Sequence, residues 1–385
     1  MPLCVYDKHT KQNEFDGCGL GIIKPKVFKT SETENGDYSV QIEYPINDTD
    51  RMWTYLSPYA IVKNSEGQLF QIHTCGTEMS SSGAVWKAQA NHISYYLADK
   101  LVEGCVYSKI DCRDALNRIW EHTIVHSGDS PSPSMTEYNF IFDSDRVSRE
   151  QRDINFTGIN PLYAILGAEN SILNLYGGSI YRDNFYISVF EKKQYSKDNA
   201  FEIVHGINMT SITERLSVKD VITGFIAGNN FGIGFSTFNR TSDIAPHECI
   251  RRLKFSYSED YGMDQLSKDA YSYRDAHLNL DASYTVRFRE LKNDPKYSDW
   301  AKLQRYRVGD RGWIKSERLG IKVYVTIVSR VLNDITGEVE EITLGTLMPN
   351  LWRNDRFSLS RDSADGRRLE AIEKLRLNNM FKWEE

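Results

Sequence analysis

Alternation of apolar and polar residues dominates the first quarter of the chain. In DYSVQIEYPI (37–46), Tyr38, Val40, Ile42 and Tyr44 fall on one face of a strand and Pro45 closes it. AIVKNSEGQLFQIHTC (60–75) reads as two apolar strands joined by the polar turn Asn64-Ser65-Glu66-Gly67. VWKAQANHISYYLADKL (85–101) changes period along its length. Trp86, Ala88 and Ala90 fit period two, whereas Ile93, Tyr96 and Leu97 fit period 3.6, so a strand passes into a helix at a point the pattern leaves open.

A helical period takes over after Leu101. CRDALNRIWEHTIV (112–125) carries Ala115, Leu116, Ile119 and Trp120 at helical spacing, behind Asp111, whose carboxylate suits the free N–H groups of a helix start. GDSPSPSMTEYN (128–139) has no period and predicts an exposed loop. INFTGINPLYAILGAENSILNLYGG (154–178) predicts a turn at Gly158-Ile159-Asn160-Pro161, a helix from about Pro161 and an exit at the glycine pair. Within Asn170–Lys193, Ile172, Leu173 and Leu175 suit the last turn of a buried helix, and Gly177-Gly178 supplies the positive φ of a tight hairpin. Phe185, Ile187 and Val189 then alternate with Asn184, Tyr186 and Ser188, as in a half-buried strand.

Residues 199–225 alternate well enough for two or three strands, expected to return to the first sheet. Gly228-Asn229-Asn230-Phe231-Gly232-Ile233-Gly234 predicts a turn, because neither a Lys-Ser/Thr pair nor a clear apolar helix follows it as a phosphate cradle requires. Residues 242–300 are polar and tyrosine-rich, with helix-prone stretches at 264–278 and 297–305. In 306–345, Gly309-Asp310-Arg311-Gly312 predicts a turn, Ile321, Val323, Val325 and Ile327 line a strand, and Asp334-Ile335-Thr336-Gly337 turns it into Val339–Leu344. Leu369, Ile372, Leu375 and Leu377 predict a closing amphipathic helix within 366–383.

These patterns describe an α+β, β-rich multidomain chain in which two small β-barrel-like domains flank α/β domains. The expected division is 1–100 (barrel-like), 101–195 (α/β), 196–240 (strands returning to the first domain), 241–305 (mixed helix and loop), 306–362 (barrel-like) and 363–385 (helix). A length of 385 residues fits two to four domains. The 22 Tyr, 17 Phe and 7 Trp favour strands and interfaces over long bundles. A formal charge of -6 with mixed signs gives no basic footprint for stable nucleic-acid binding, although it is compatible with DNA passing through an acidic pore.

Cys4, Cys18, Cys75, Cys105, Cys112 and Cys249 form no C-x-x-C pair, so reduced, mostly buried thiols are expected. The N-terminal MPLCVYDKHTKQ lacks a signal-peptide pattern, no apolar run reaches a bilayer-spanning length, and synthesis in a cytoplasm is expected. His122 and His126 stand four apart on the predicted helix, a zinc-compatible spacing, but the H-E-x-x-H glutamate and an evident third ligand are missing. His247-Glu248-Cys249 places a thiol beside a base, yet adjacent residues point to different faces. Glu340-Glu341 and Glu384-Glu385 read as solvated charges. Met52-Trp53-Thr54-Tyr55-Leu56-Ser57-Pro58-Tyr59 suits either core packing or an interface. Catalytic residues, metal and cofactor are accordingly not expected.

DYSVQIEYPI, GQLFQIHTC, AQANHISYYLAD, NSILNLYGGSIYRDNFYISV, GINMTSITERLSVKDVITGFIA and LGIKVYVTIVSRVLNDITGEVEEITLG occur in an order that resembles the N-terminal region of tail-tip proteins of long-tailed phages infecting Gram-positive bacteria. That family is often called prophage endopeptidase tail proteins or tail-associated lysins, and the likeness spans about residues 35–345. It implies a baseplate-hub-like homotrimer whose two barrel domains per subunit form a pseudo-sixfold ring. Such a trimer caps the tail tube and opens for DNA ejection. Its implied partners are a distal tail ring protein, a tape measure protein, receptor-binding proteins and, only in passage, viral DNA. No motif of a wall-cleaving domain follows the hub region here, so a short hub like those of lactococcal-type phages is expected. Gly177, Gly178, Gly309, Gly312 and Gly337 are the residues expected to hold its turns. The rival expectations are a peptidoglycan-degrading tail enzyme and a carbohydrate-binding adhesin using the aromatic loop.

Overall fold

A computed structural model describes residues 1–46, 51–80, 83–124, 138–145, 151–167, 170–190, 196–217, 221–238, 249–255, 262–276, 281–291, 294–297, 299 and 304–345. The expected closing helix, most of the 128–139 loop, and His126, His247 and Glu248 lie outside these residues, as does most of the 297–305 stretch. Among the described residues the chain divides into two compact units: one takes in Met1–Arg215 and the segment from Ala282 to Gly345, the other runs from Leu216 to Asp281.

The N-terminal strands are β1 (Cys4–Tyr6), β2 (Gly21–Ile22), β3 (Val27–Thr33), β4 (Tyr38–Pro45), β5 (Ile61–Lys63), β6 (Leu69–Ser80) and β7 (Gly83–His92). In β4 the expected face, Tyr38, Val40, Ile42 and Tyr44, is the buried one. The start of this sheet is covered on both sides. Cys4, Tyr6, Ile61 and Leu69 enter one core, and Leu3, Val5, Val62 and Phe70 enter the other. Period-two geometry sends successive side chains to opposite faces, which is why these strands read as continuous apolar runs. After β7 the chain passes into a 3-10 turn, Ile93–Asp99, opened by His92, whose ring nitrogen accepts from Ser94 N. The change of period thus falls at His92–Ile93.

The next block contains β8 (Leu101–Val102), β9 (Cys105–Ile110), α1 (Cys112–Glu121), β10 (Thr123–Ile124), β11 (Ile141–Ser144), β12 (Arg152–Phe156), α2 (Pro161–Leu166), α3 (Ile172–Tyr176), β13 (Ser179–Asp183) and β14 (Tyr186–Phe190). Asp111 caps α1 by accepting from Asp114 N at 2.9 Å, and Ala115, Leu116 and Ile119 face the core. The helix expected from Pro161 is two short ones, with Asn160 and Ser171 as their caps. The first ends at Gly167, whose added Cβ would lie 2.4 Å from Tyr163 O. Gly177 and Gly178 do take positive φ, +67° and +99°, but they lead out of α3 rather than turn the hairpin. The β13–β14 connection carries Asn184 at φ +51°, a left-handed position that asparagine tolerates.

The following strands are β15 (Phe201–Val204) and β16 (Met209–Ser217). The second unit holds β17 (Gly224–Asn229), β18 (Gly234–Phe238), β19 (Ile250–Phe255) and α4 (Gly262–Ala276), with Phe225, Ala227, Leu253, Phe255, Leu266 and Ala270 in its own core. The chain then continues with β20 (Asp281–Phe288), β21 (Arg311–Ser316), β22 (Ile321–Asn333) and β23 (Glu338–Gly345).

Of the strands within 199–225, β15 runs parallel to β21 and β16 neighbours β20, both in the sheet that also holds β1–β7, whereas β17 lies between β18 and β19 in a separate small sheet. Phe201 explains the first of these. Its backbone sits against Gly312, where an added Cβ would lie 2.3 Å from Phe201 O, so Gly312 is the in-strand point of close approach and not part of the turn. Among the described residues the N-terminal and C-terminal strands belong to one thirteen-stranded sheet, joined where β22 runs antiparallel to β3 from Ser329↔Thr33 to Asn333↔Lys29. The protein is therefore β-rich, with one large, mainly antiparallel sheet and several small ones.

Candidate functional site

Two of the first unit's buried charged residues, Arg330 and Asp334, lie at the joint between β3 and β22. The β22–β23 ladder shifts register between Ile327 and Ser329. An extra residue in one strand reverses which side chains face inward beyond it. Ile321 and Ile327 are buried before the shift, and Val328, Arg330 and Leu332 after it. Arg330 is left only 7% exposed, directly across from Glu32.

Arg330 meets two carboxylates. Its Nε donates to Glu32 Oε2 at 2.8 Å, and its Nη1 and Nη2 donate to Glu66 Oε1 and Oε2 at 2.9 and 2.6 Å. Burial alone would lower the guanidinium pKa, but the two glutamates outweigh it and hold it above the usual arginine value. Burial likewise pushes Glu66 up, and the hydrogen bonds and charge of Arg330 more than reverse this, leaving Glu66 below the ordinary carboxylate value.

Asp334, four residues on, accepts from Thr30 Oγ1 at 2.5 Å and from Ser65 N and Oγ at 3.0 and 2.6 Å. Burial nevertheless raises its pKa. Asn64 organises the turn from within: its Oδ1 accepts from Glu66 N and Gln68 N, and its Nδ2 donates to Thr30 Oγ1 at 3.1 Å. The Asn64–Gln68 turn therefore binds the C-terminal strands to β3.

The same turn also holds the β13–β14 hairpin. Asn184 Oδ1 accepts from Leu69 N at 2.8 Å, Asn184 Nδ2 donates to Gly67 O, and Gln68 Nε2 donates to Asp183 Oδ1 at 2.8 Å. At the other end of β13, Asn35 bonds Gly178 O and Ile180 N, Ser179 donates to Glu34, and Arg182 Nη2 donates to Gly36 O. Three blocks of sequence thus converge on two turns of the N-terminal sheet. The arrangement is suited to fixing their relative placement; it presents paired charges and backbone bonds rather than a poised nucleophile and base.

The residues singled out for chemistry lie apart from this junction. His122 uses both ring nitrogens, Nδ1 with Glu103 O at 3.0 Å and Nε2 with the Tyr107 hydroxyl at 2.8 Å. Among the described residues no group of three potential metal ligands converges. Cys249 N donates to Thr223 Oγ1, and no disulfide joins any of the six cysteines. The glycine-rich segment forms the β17–β18 turn, with Asn229 Oδ1 accepting from Phe231 N and Ile233 N. Glu341 is paired with Arg287, and Glu340 bonds Lys29 and Asn333, so neither is a lone solvated charge. The aromatic loop is divided: Met52, Trp53 and Leu56 pack in the core, while Tyr55 and Tyr59 face solvent. Gly309 and Gly337 take positive φ in the turns expected of them.

Sequence reading recognised the Asn64–Gly67 turn and the Asn170–Lys193 segment without connecting them. The bonds between the turn, extended to Leu69, and that segment join residues 115 to 117 apart in sequence, and the local sign was an uncommon density of Asn, Ser and Glu in a short turn.

No protein-family model matches the chain, and no curated protein sequence matches it. Solved structures do. Together with the multi-block β-rich architecture, they define the fold as that of prophage tail proteins. The prophage tail protein gp18 of Listeria monocytogenes EGD-e is 15% identical with a TM-score of 0.60, over 98% of this chain and 100% of that one. The 43 kDa tail protein of prophage MuSo2 from Shewanella oneidensis is 13% identical with a TM-score of 0.59, over 93% and 99%. The tail protein of Neisseria meningitidis MC58 is 11% identical with a TM-score of 0.59, over 93% and 100%. Among the described residues no helix is long and apolar enough to cross a membrane.

Proposed function

We propose that this chain is a non-enzymatic virion component, the hub of a long-tailed phage's tail tip, and that three copies close the distal end of the tail tube until DNA ejection. The observation that carries this reading is the likeness of fold from end to end to a prophage tail protein. The organisation of the β-rich blocks supports it. The N-terminal and C-terminal strands each have a separate apolar core while sharing the β3–β22 pairing. A sixfold tube meets a threefold cap without mismatch when each subunit offers two similar domains.

In this reading residues 1–100 and 306–362 act as the two barrel-like domains and residues 101–195 as an α/β domain between them. The distal tail ring protein, the tape measure protein and the receptor-binding proteins are the partners. Viral DNA is met only in passage, which suits a net charge of -6. The test is the mass of the purified chain by light scattering, with negative-stain images of the same peak. Threefold rings or cups at trimer mass are expected; a stable monomer at micromolar concentration would overturn the hub.

A further inference from the structure

At its β2 edge the large sheet closes on a pair of cysteines that the junction does not use. The 18–22 segment folds back along β1: Val5 and Gly19 form a parallel bridge, Leu20 N donates to Val5 O at 2.8 Å, and Cys4 pairs with Ile22. Gly21 N donates to Cys18 O at 3.0 Å, so the chain turns tightly just after Cys18.

One residue before each member of the bridge stand Cys4 and Cys18. The bridge therefore sets the two backbones side by side one residue from each cysteine. A disulfide requires Cα atoms roughly 4.4–6.8 Å apart. The Cys4 thiol itself donates to Pro2 O at 3.5 Å. Burial, with the Cys18 thiol beside it, pushes the Cys4 thiol up to about 11. Cys4 is fully buried and Cys18 exposed.

We propose that Cys4 and Cys18 are a redox-sensitive pair that closes to a disulfide on meeting a low-molecular-weight disulfide such as oxidised glutathione, pinning the 7–20 segment over the sheet edge. The exposed Cys18, as thiolate, attacks one sulfur of the oxidant and releases the first glutathione thiolate. Cys4 then gives up its proton and attacks the Cys18 sulfur, releasing the second. Two protein thiols are oxidised and one small disulfide is reduced to two thiols. The buried Cys4 makes the second step the slower one. The pinned segment includes Phe15, whose ring lies 5.1 Å from Tyr6, and Gln12, which exchanges two hydrogen bonds with the Asn139 backbone. The inference is independent of the tail reading.

The test uses the full chain, reduced, incubated with oxidised glutathione, quenched with iodoacetamide and cut with trypsin at Lys8 and Lys11, which separate the two cysteines. The expected product is a Cys4–Cys18 linked peptide pair. The thermal midpoint should rise by roughly a few degrees and fall back on reduction. Cys18→Ser should lose both effects and Cys249→Ser neither. Glutathione retained on Cys18 with Cys4 alkylated, or either cysteine linked to a third, overturns the pairing; a link that leaves the midpoint unmoved overturns the pinning.

Discussion

Arg330 and Glu66, 264 residues apart in sequence, meet in a two-pronged ion pair that ties the C-terminal strands to a turn of the N-terminal sheet. Glu32 accepts from the third nitrogen of the same guanidinium. The pair exists because the register shift after Ile327 turns Arg330 inward.

Removing the guanidinium leaves Glu32 and Glu66 facing each other across a joint they share with Asp334. Breaking a fully buried pair costs about 3–5 kcal/mol, less where the carboxylates keep some water, so Arg330→Ala should lose roughly 2–4 kcal/mol. Arg330→Lys should recover little, since an ammonium cannot reproduce the fork. Chemical denaturation measures both; a wild-type midpoint in Arg330→Ala would remove the joint's assigned role.

Stability should fall on acidification, starting near neutrality. Burial first, and the charge of Arg182 second, hold His92 well below the usual histidine value, so the folded chain keeps this imidazole neutral. The unfolded chain protonates it near pH 6.5, and stability declines as pH falls below that, with a slope approaching about 1.4 kcal/mol per pH unit. His73, lowered mainly by burial, acts in the same direction. Glu66 adds a second loss at lower pH: its folded pKa is depressed, so its contribution disappears as pH falls through that value. Asp334, raised by burial, works in the opposite sense and weakens the fold as pH rises through its folded value. Thermal midpoints recorded from pH 7.5 down to pH 4 give the curve. His92→Gln should flatten its upper part, and an unchanged slope there would rule out His92 as the source.

Gly177 combines φ +67° with ψ -168°, a region essentially reserved for glycine. Gly177→Val should cost roughly 1–3 kcal/mol and loosen the exit from α3. Calorimetry of the purified variant checks this, and wild-type stability would mean the backbone there relaxes freely.

Asn184 does two things at one position: it tolerates φ +51° and it supplies the acceptor for Leu69 N. Asn184→Ala should cost about 1–3 kcal/mol, mostly from an N–H left without its partner. Asn184→Gly separates the two effects, keeping the backbone freedom and losing the side-chain bonds. Equal stability of the glycine variant and the wild type would show that the hairpin docks without this bond.

Local pattern was enough wherever an element answers to its own period. The alternation of Tyr38, Val40, Ile42 and Tyr44 matches a strand with that face buried, and Asp111 caps a helix whose apolar stripe is Ala115, Leu116 and Ile119. The helix-prone stretch at 264–278 matches α4, Gly262–Ala276. Where the reading departed from the structure, the deciding contact was distant. Gly312 reads locally as a turn glycine but lies in-strand against Phe201 O, and the glycine pair reads as a hairpin turn although Asn184 stands at the β13–β14 connection.

What the sequence by itself determined is the elements that answer to their own period, with their buried faces, and the Asp111 cap, because periodicity and capping act over a few residues. The order of its segments also carried the resemblance to tail-tip proteins, and the fold agrees with prophage tail proteins over nearly the whole chain. Only the tertiary structure decided that β22 joins β3, that a register shift buries Arg330, and that the Asn64–Gln68 turn serves both the C-terminal strands and the β13–β14 hairpin. The β22–β3 pairing and the partner of the buried Arg330 charge are chosen by groups more than a hundred residues away, and a one-residue bulge reverses the inward-facing side chains beyond it without changing the local composition.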